Sequence, residues 1–212
     1  MEPIMEFKDI LARRRAVNFF DTERDVPEPL LRQLVDMAAM APSGFNHQPW
    51  SLMVLRGAEE KARLRALAWD QAKITEAPVT LVVLADTAAW QEGHPACERN
   101  WKEMTATGMP VAKRDWFMGA CNSLYGSSRD ASLAFAVKNA GLFCMSLMYA
   151  ATSLGLDSHP MDGFDHDGVR RAFDIPDNYW VPMLISVGWL KPETVLTPPK
   201  WRKSYDEIVV KF

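Results

Sequence analysis

APSGFNHQPW, residues 41–50, stands between an apolar helix and a strand and sets turn formers beside amides. Pro42, Ser43 and Gly44 stop whatever precedes them. Asn46 and Gln48 are amides that need partners if buried. A heterocycle with alternating donors and acceptors would supply them, and a turn whose amides satisfy one another reads equally well. Upstream, a helix is expected over about residues 30–40 behind the Pro-bounded VPEP, with Leu31, Leu34, Val35, Ala38 and Ala39 on one face at helical spacing. A first helix is expected over about residues 7–15. Downstream, residues 50–55 read as a strand, 59–69 as a charged surface helix and 79–85 as a second strand. That second strand, VTLVVLA, is apolar without alternation, so helices are expected over both of its faces.

From about residue 86 to 128 the pattern is poor. GHPACERNW and TATGMPVAKRDWF are rich in Gly, Pro and Trp and read as a partly helical excursion from the core, of the kind that forms a lid. A long apolar helix follows over about 130–153, then a loop over 155–165, a short helix to Phe173 and a third strand over about 181–189. The tail, about 191–212, is Pro-rich and ends basic. With no repeat and no low-complexity linker, residues 1–212 read as a single domain.

Hydrophobic residues make up 48% and charged residues 24%, the mix of a globular chain. A net charge of −3 gives no electrostatic footprint for nucleic acid or an anionic membrane, so neither is expected as a partner. Cys97, Cys121 and Cys144 are widely spaced, odd in number and without a CxxC, which fits a reducing compartment and a cytoplasmic protein. MEPIMEFKDI carries acids early and lacks an apolar core, so no secretory signal is expected. Two stretches lack charge for a span's length. The one from Met37 to Leu55 contains Pro42, Gly44, Asn46, His47, Gln48 and Pro49, and the one from Asn139 to Leu156 reads as a helix buried in protein.

There is no GxGxxG, no GxxxxGK[ST] and no GxSxG. His94 and Cys97 have a metal-like spacing but no second pair, and Asp162, Asp165, Asp167 and His166 read as a solvated loop, so no metal site is expected. Arg13, Arg14 and Arg15 repel one another unless an anion is near, and Arg grips phosphate bidentately. A favourable helix C-terminal charge is the other reading of that run. Lys200 and Arg202, two apart, point to one side of an extended chain, where a solvated basic tail is the ordinary explanation.

Together, RRxVxxF at 14–20, APSGxNxQPW at 41–50, the loop GLDSHPMDGF and the terminal PxKxR resemble the FMN-dependent nitroreductase family in order and spacing over nearly the whole chain. The resemblance implies roles position by position. Arg14 and Arg15 meet the FMN phosphate and ribityl chain, and Ala16 stands where a serine often adds a hydrogen bond. Asn18 replaces a cation that family members place near the N1/O2 side of the flavin. Pro42, Ser43, Gly44, Asn46 and Gln48 run along the isoalloxazine and ribityl, commonly from the partner subunit. Asp70 stands where an asparagine is common, with Lys73 a turn on. Pro160, Met161, Asp162 and Gly163 match P-x-[ED]-G, whose backbone N–H groups face flavin N5 and O4. Lys200 and Arg202 form the second phosphate clamp.

The same resemblance implies an α+β fold, with a small mixed or antiparallel sheet flanked by helices, in an interlocked homodimer whose tails embrace the partner. It implies a ping-pong oxidoreductase: NAD(P)H gives hydride to the flavin, and a nitroaromatic, quinone or enone takes the electrons. No side chain is then needed as a nucleophile. An enzyme of the same fold with a narrow, dehalogenase-like substrate, or a flavin-binding protein without turnover, are the alternatives.

Overall fold

The computed structural model describes residues 6–211. The opening residues of the amino-terminal targeting reading, 1–5, and the final residue of the tail lie outside the described residues. In chain order the elements are α1 (Phe7–Arg13), α2 (Glu28–Ala38), β1 (Trp50–Leu55), α3 (Ala58–Leu67), α4 (Lys73–Glu76), β2 (Val79–Asp86), α5 (Pro95–Ala106), α6 (Arg114–Tyr125), α7 (Arg129–Ser153), β3 (Asp157–Met161), α8 (His166–Ala172), β4 (Tyr179–Trp180), β5 (Leu184–Gly188) and α9 (Tyr205–Ile208).

Every residue of β2 is buried. Its side chains alternate between two cores. Leu81, Val83 and Ala85 face α2 and α7. Val82 and Leu84 face α3, α4 and α8 through Leu64, Ile74 and Val169. The helices expected over both faces are there, although the sheet is antiparallel throughout, in the order β1-β2-β5-β3 with β4 also on β2. Thr80, the polar interruption in the run, is fully buried and donates to Ile74 O at 3.0 Å, with Ser186 Oγ at 3.2 Å. That partnering removes the penalty of an unpaired buried hydroxyl.

α7 is the central helix. Ser128 caps it by accepting from Ala131 N–H at 3.1 Å, and Asp130 complements the dipole in its first turn. By length and composition it could cross a membrane; here Phe143 and Leu147 are buried against α2 and the sheet, and Phe143 stacks on Trp50 with ring centres 5.2 Å apart.

Three expectations change. The loop over 155–165 contains β3, an edge strand that tolerates Pro160 because its outer side needs no full ladder. The third strand breaks into β4 and β5 around Pro182, which has no N–H to donate. The poor pattern over 86–128 conceals two full helices, and α5 and α6 send Cys97, Phe117, Cys121 and Tyr125 into the main core beside Phe135. The four-residue spacing of Phe117, Cys121 and Tyr125 is the stripe that marks this.

Leu147→Ala should cost about 2–5 kcal/mol, because Leu147 is fully buried and its truncation leaves a cavity in the core. Exposed Leu124→Ala on α6 should stay within about 0.5 kcal/mol. Urea midpoints at one protein concentration check both.

Candidate active site

The strand missed by the sequence reading organises the first group of expected residues. Ala16 bridges Ser158 of β3 in parallel, and Val17 N–H donates to Ser158 O at 3.2 Å. This lays residues 14–18 along the sheet edge. His159 Nδ1–H donates to Val17 O at 2.8 Å, so Nε2 is the ring's acceptor and lies 3.4 Å from Lys73 Nζ. Burial and the adjacent ammonium hold His159 below its ordinary pKa, and burial also lowers Lys73. Lys73 is thus a cation held one hydrogen-bond step from the backbone beside exposed Asn18. Beneath the bridge, the buried Ser158 Oγ has no partner among the described residues.

β3 runs directly into the turn at 160–163. Phe164 N–H donates to Asp162 O at 3.0 Å and Asp165 N–H to Leu67 O at 2.8 Å; neither bond uses the N–H of Asp162 or Gly163. Gln71 Nε2 donates to Gly163 O at 2.9 Å, and its Oε1 lies 3.4 Å from Lys73 Nζ. Gln71, rather than Asp70, ties this loop to the site. Asp70 instead has φ 53° and gives its carboxylate to Arg65 Nε at 2.6 Å. A Cβ on Gly163 would stand 2.7 Å from Trp69 Cε3, so the close approach this glycine permits is that of the exposed Trp69 ring.

The tail joins the group through one residue. Arg15 Nη2 donates to Thr197 O at 2.6 Å and Pro198 O at 3.1 Å. Its guanidinium is therefore spent on the tail, while Arg14 is half-buried beside it. Lys200 and Arg202 follow, both exposed, with Arg202 Nη1 turned back onto Trp201 O at 2.8 Å. No hydrogen bond, ion pair or ring contact among the described residues joins these two side chains to Arg14.

Pro42, Ser43, Gly44, Asn46 and Gln48 form a separate group against α6 and α7. Phe45, Asn46 and Gln48 have φ of 48°, 53° and 46°, a left-handed backbone that ordinary residues adopt only when the surroundings enforce it. The enforcement is visible. Buried Asn139 of α7 accepts from Gly44 N–H at 3.0 Å and donates to Phe135 O at 2.7 Å. Ser43 Oγ accepts from Gln48 N–H at 2.9 Å, and Gln48 Nε2 donates to Asn46 Oδ1 at 3.1 Å. Gly44 is needed because a Cβ there would lie 2.6 Å from Tyr125 Oη. His47, given no site role by the sequence, is fully buried among Phe45, Phe117, Tyr125 and Phe135, with Nε2 3.5 Å from Cys121 Sγ. No described contact joins this group to the first.

Cations, unspent backbone donors and neutral amides at the rim of an antiparallel sheet can together hold an anionic cofactor with a polar heterocycle. The nitroreductase family model matches residues 11–189. The chain is 33% identical over 181 residues to YodC of Bacillus subtilis, a protein whose name carries NAD(P)H nitroreductase, covering 85% of this chain and 87% of that one. It is 30% identical to a protein named NADH dehydrogenase from Thermus thermophilus, over 88% of each. A structure from Exiguobacterium sibiricum, solved in complex with FMN, superimposes with a TM-score of 0.82 at 27% identity, covering 97% of this chain and 96% of that one. The chain belongs to the nitroreductase family.

Burial, with the charge of a protonated His94 adding to it, lowers the His47 pKa to about 4. The unfolded chain takes up this proton near pH 6.5, whereas the folded chain does not until about pH 4. Stability from neutral His47 is therefore lost as pH falls through that window. Against a His47→Gln protein, whose side chain does not titrate, the wild type's advantage should shrink by up to about 3 kcal/mol between pH 6.5 and 4. Denaturant midpoints across that range check it.

Proposed function

We propose that this chain is an FMN-dependent oxidoreductase that takes hydride from NAD(P)H and passes the electrons to a nitroaromatic, quinone or enone in a ping-pong cycle. The observation that carries the reading is the placement of Arg14, Lys73, His159 and the open N–H groups of Asp162 and Gly163 along one sheet edge. Family membership and the FMN-bound relative support it.

The residues present fit that cofactor. Its phosphate carries about two negative charges, which Arg14, Lys200 and Arg202 neutralise, with Arg15 drawing the tail into reach. In the turn that follows Pro160 and Met161, the backbone N–H groups of Asp162 and Gly163 present donors to the ring. Lys73 supplies the positive charge that Asn18 does not, and Ser158 offers a hydroxyl one strand away from Ala16. Bound flavin supplies the redox chemistry itself, so the protein needs no nucleophile.

The assembly in this proposal is a homodimer in which Pro42, Ser43, Gly44, Asn46 and Gln48 complete the partner's site. The separation of the two residue groups in one chain favours it. So do two uncovered apolar features: Leu142 on α7, 43% exposed, and the tail, where Trp201 and Tyr205 are 71% and 75% exposed. The three free, buried cysteines fit a cytoplasmic setting.

Purified protein should be yellow and release FMN on denaturation, and anaerobic NAD(P)H should bleach it until a quinone restores the colour. A colourless protein, or a yellow one that never bleaches, refutes the enzyme reading. Arg14→Ala with Arg202→Ala should weaken FMN retention by about 1.5–3 kcal/mol per lost charged contact. Removing residues from Thr197 onward should yield a colourless monomer by light scattering.

A further inference from the structure

The two ring nitrogens of His159 meet partners of opposite kinds. Nδ1–H donates to Val17 O at 2.8 Å, so Nε2 carries the free lone pair, and Lys73 Nζ stands 3.4 Å from it. The ring can therefore gain a proton only at Nε2, where it keeps its hold on Val17. A lysine donates and cannot accept, so that proton and the Lys73 contact exclude one another. Burial first, and Lys73 next, hold the ring below its ordinary pKa against the pull of the Val17 carbonyl.

Other charged groups surround the pair. Glu76 shares α4 with Lys73 and acts on the ammonium. Arg14 and Arg15 lie on the adjoining segment, with Arg15 given to the tail. Asp157, two residues back along β3, accepts from Leu190 N–H at 2.9 Å beside Arg13. From β5 comes the neutral hydroxyl of Ser186, which donates to Lys73 O at 3.2 Å. Lys73 is the charge that bears on the ring. An anion arriving near Lys73 compensates that charge, draws the ammonium to itself and leaves Nε2 free to bind a proton.

We propose that His159 takes up one proton when the flavin is reduced and gives it back when the electrons leave. The proposal rests on the oxidoreductase reading above, which puts Lys73 beside the cofactor. The atoms balance. NAD(P)H delivers two electrons and one hydrogen as hydride, and water supplies the proton that forms the Nε2–H bond. A quinone needs two electrons and two protons; the hydride equivalent brings one of these, and the proton released from His159 balances the other. By reciprocity, a proton already on His159 makes the flavin easier to reduce.

Dye-equilibrated redox titration of the purified flavoprotein from about pH 6 to 8, where imidazoles titrate, tests this beside His159→Gln. The amide can accept from Lys73 and donate to Val17 but does not titrate, so the variant separates the proton from the contacts. One further proton bound per two electrons makes reduction tenfold more favourable for each unit by which pH falls, which is about 30 mV. The wild-type potential is expected to fall with pH more steeply than that of His159→Gln by this amount, and equal slopes overturn the proposal. If His159→Gln does not fold, histidine-ring NMR of the oxidised and dithionite-reduced wild type decides. Of the four histidines, His47 stands apart by titrating at about pH 4, and His94→Gln and His166→Gln assign two more. The remaining ring should bind its proton at least tenfold more tightly in the reduced protein, and an unmoved ring overturns the proposal. A purely structural histidine would change neither reading. A colourless protein refutes the flavin reading and this proposal with it, whereas a yellow protein with equal slopes refutes this proposal alone.

Discussion

β2 is buried on both faces and along its whole length, and the arrangement of the rest follows from that. An antiparallel strand with one wet face would alternate apolar and polar residues; VTLVVLAD does not, so each face must be roofed. α2 and α7 roof one face and α3, α4 and α8 the other. With both faces closed, a cofactor has room only at the strand ends and at the sheet's outer edge, and the edge strand β3 supplies that room. Residues 14–18 use its open side, which is why a short bridge from Ala16 to Ser158 suffices to bring the arginine run, Lys73 and the 160–163 turn together.

The opposite rim is held by Asn139. This single buried amide grips the Gly44 N–H with one end and the Phe135 carbonyl with the other, which pins the loop to α7. Three left-handed residues within four positions cost on the order of 1–3 kcal/mol each. Packing of Phe45 edge-on against Phe117 and Tyr125 helps offset that cost. The cofactor role proposed for Asn46 and Gln48 gives a reason for this strained, buried-anchored loop.

Elements with one strong signal were legible in the sequence: the helix bearing Leu31, Leu34 and Ala38, the all-apolar β2, the long α7 and the motif at 41–50. β3 was not, because Asp157, His159 and Pro160 are poor strand formers and the strand exists through its pairing with β5 and residue 16. α5 and α6 were obscured by the glycines and prolines of their connections, although their inward residues keep helical spacing. Side-chain partnerships lay further out of reach. Nothing in the order of residues tells that Gln71 rather than Asp70 faces the turn, or that Arg15 holds the tail.

In the proposed flavin site, Asn18 leaves the family pattern and Lys73 is the cation nearest at hand. A cation on an exposed loop would be mobile and screened by water. Lys73 is instead partly buried, lies within hydrogen-bonding reach of Gln71 and His159, and His159 is in turn fixed to the Val17 carbonyl. Gln71 and His159 orient the ammonium with neutral groups, and the carboxylate of Glu76 partly offsets the burial that lowers its basicity. Burial depresses the basicity of His159 first, and Lys73 adds to it: a protonated ring would place a second positive charge against the ammonium and surrender the acceptor that Lys73 uses. Burial and then the charged lysine keep the histidine neutral, and the neutral histidine gives the lysine an acceptor that holds it in place.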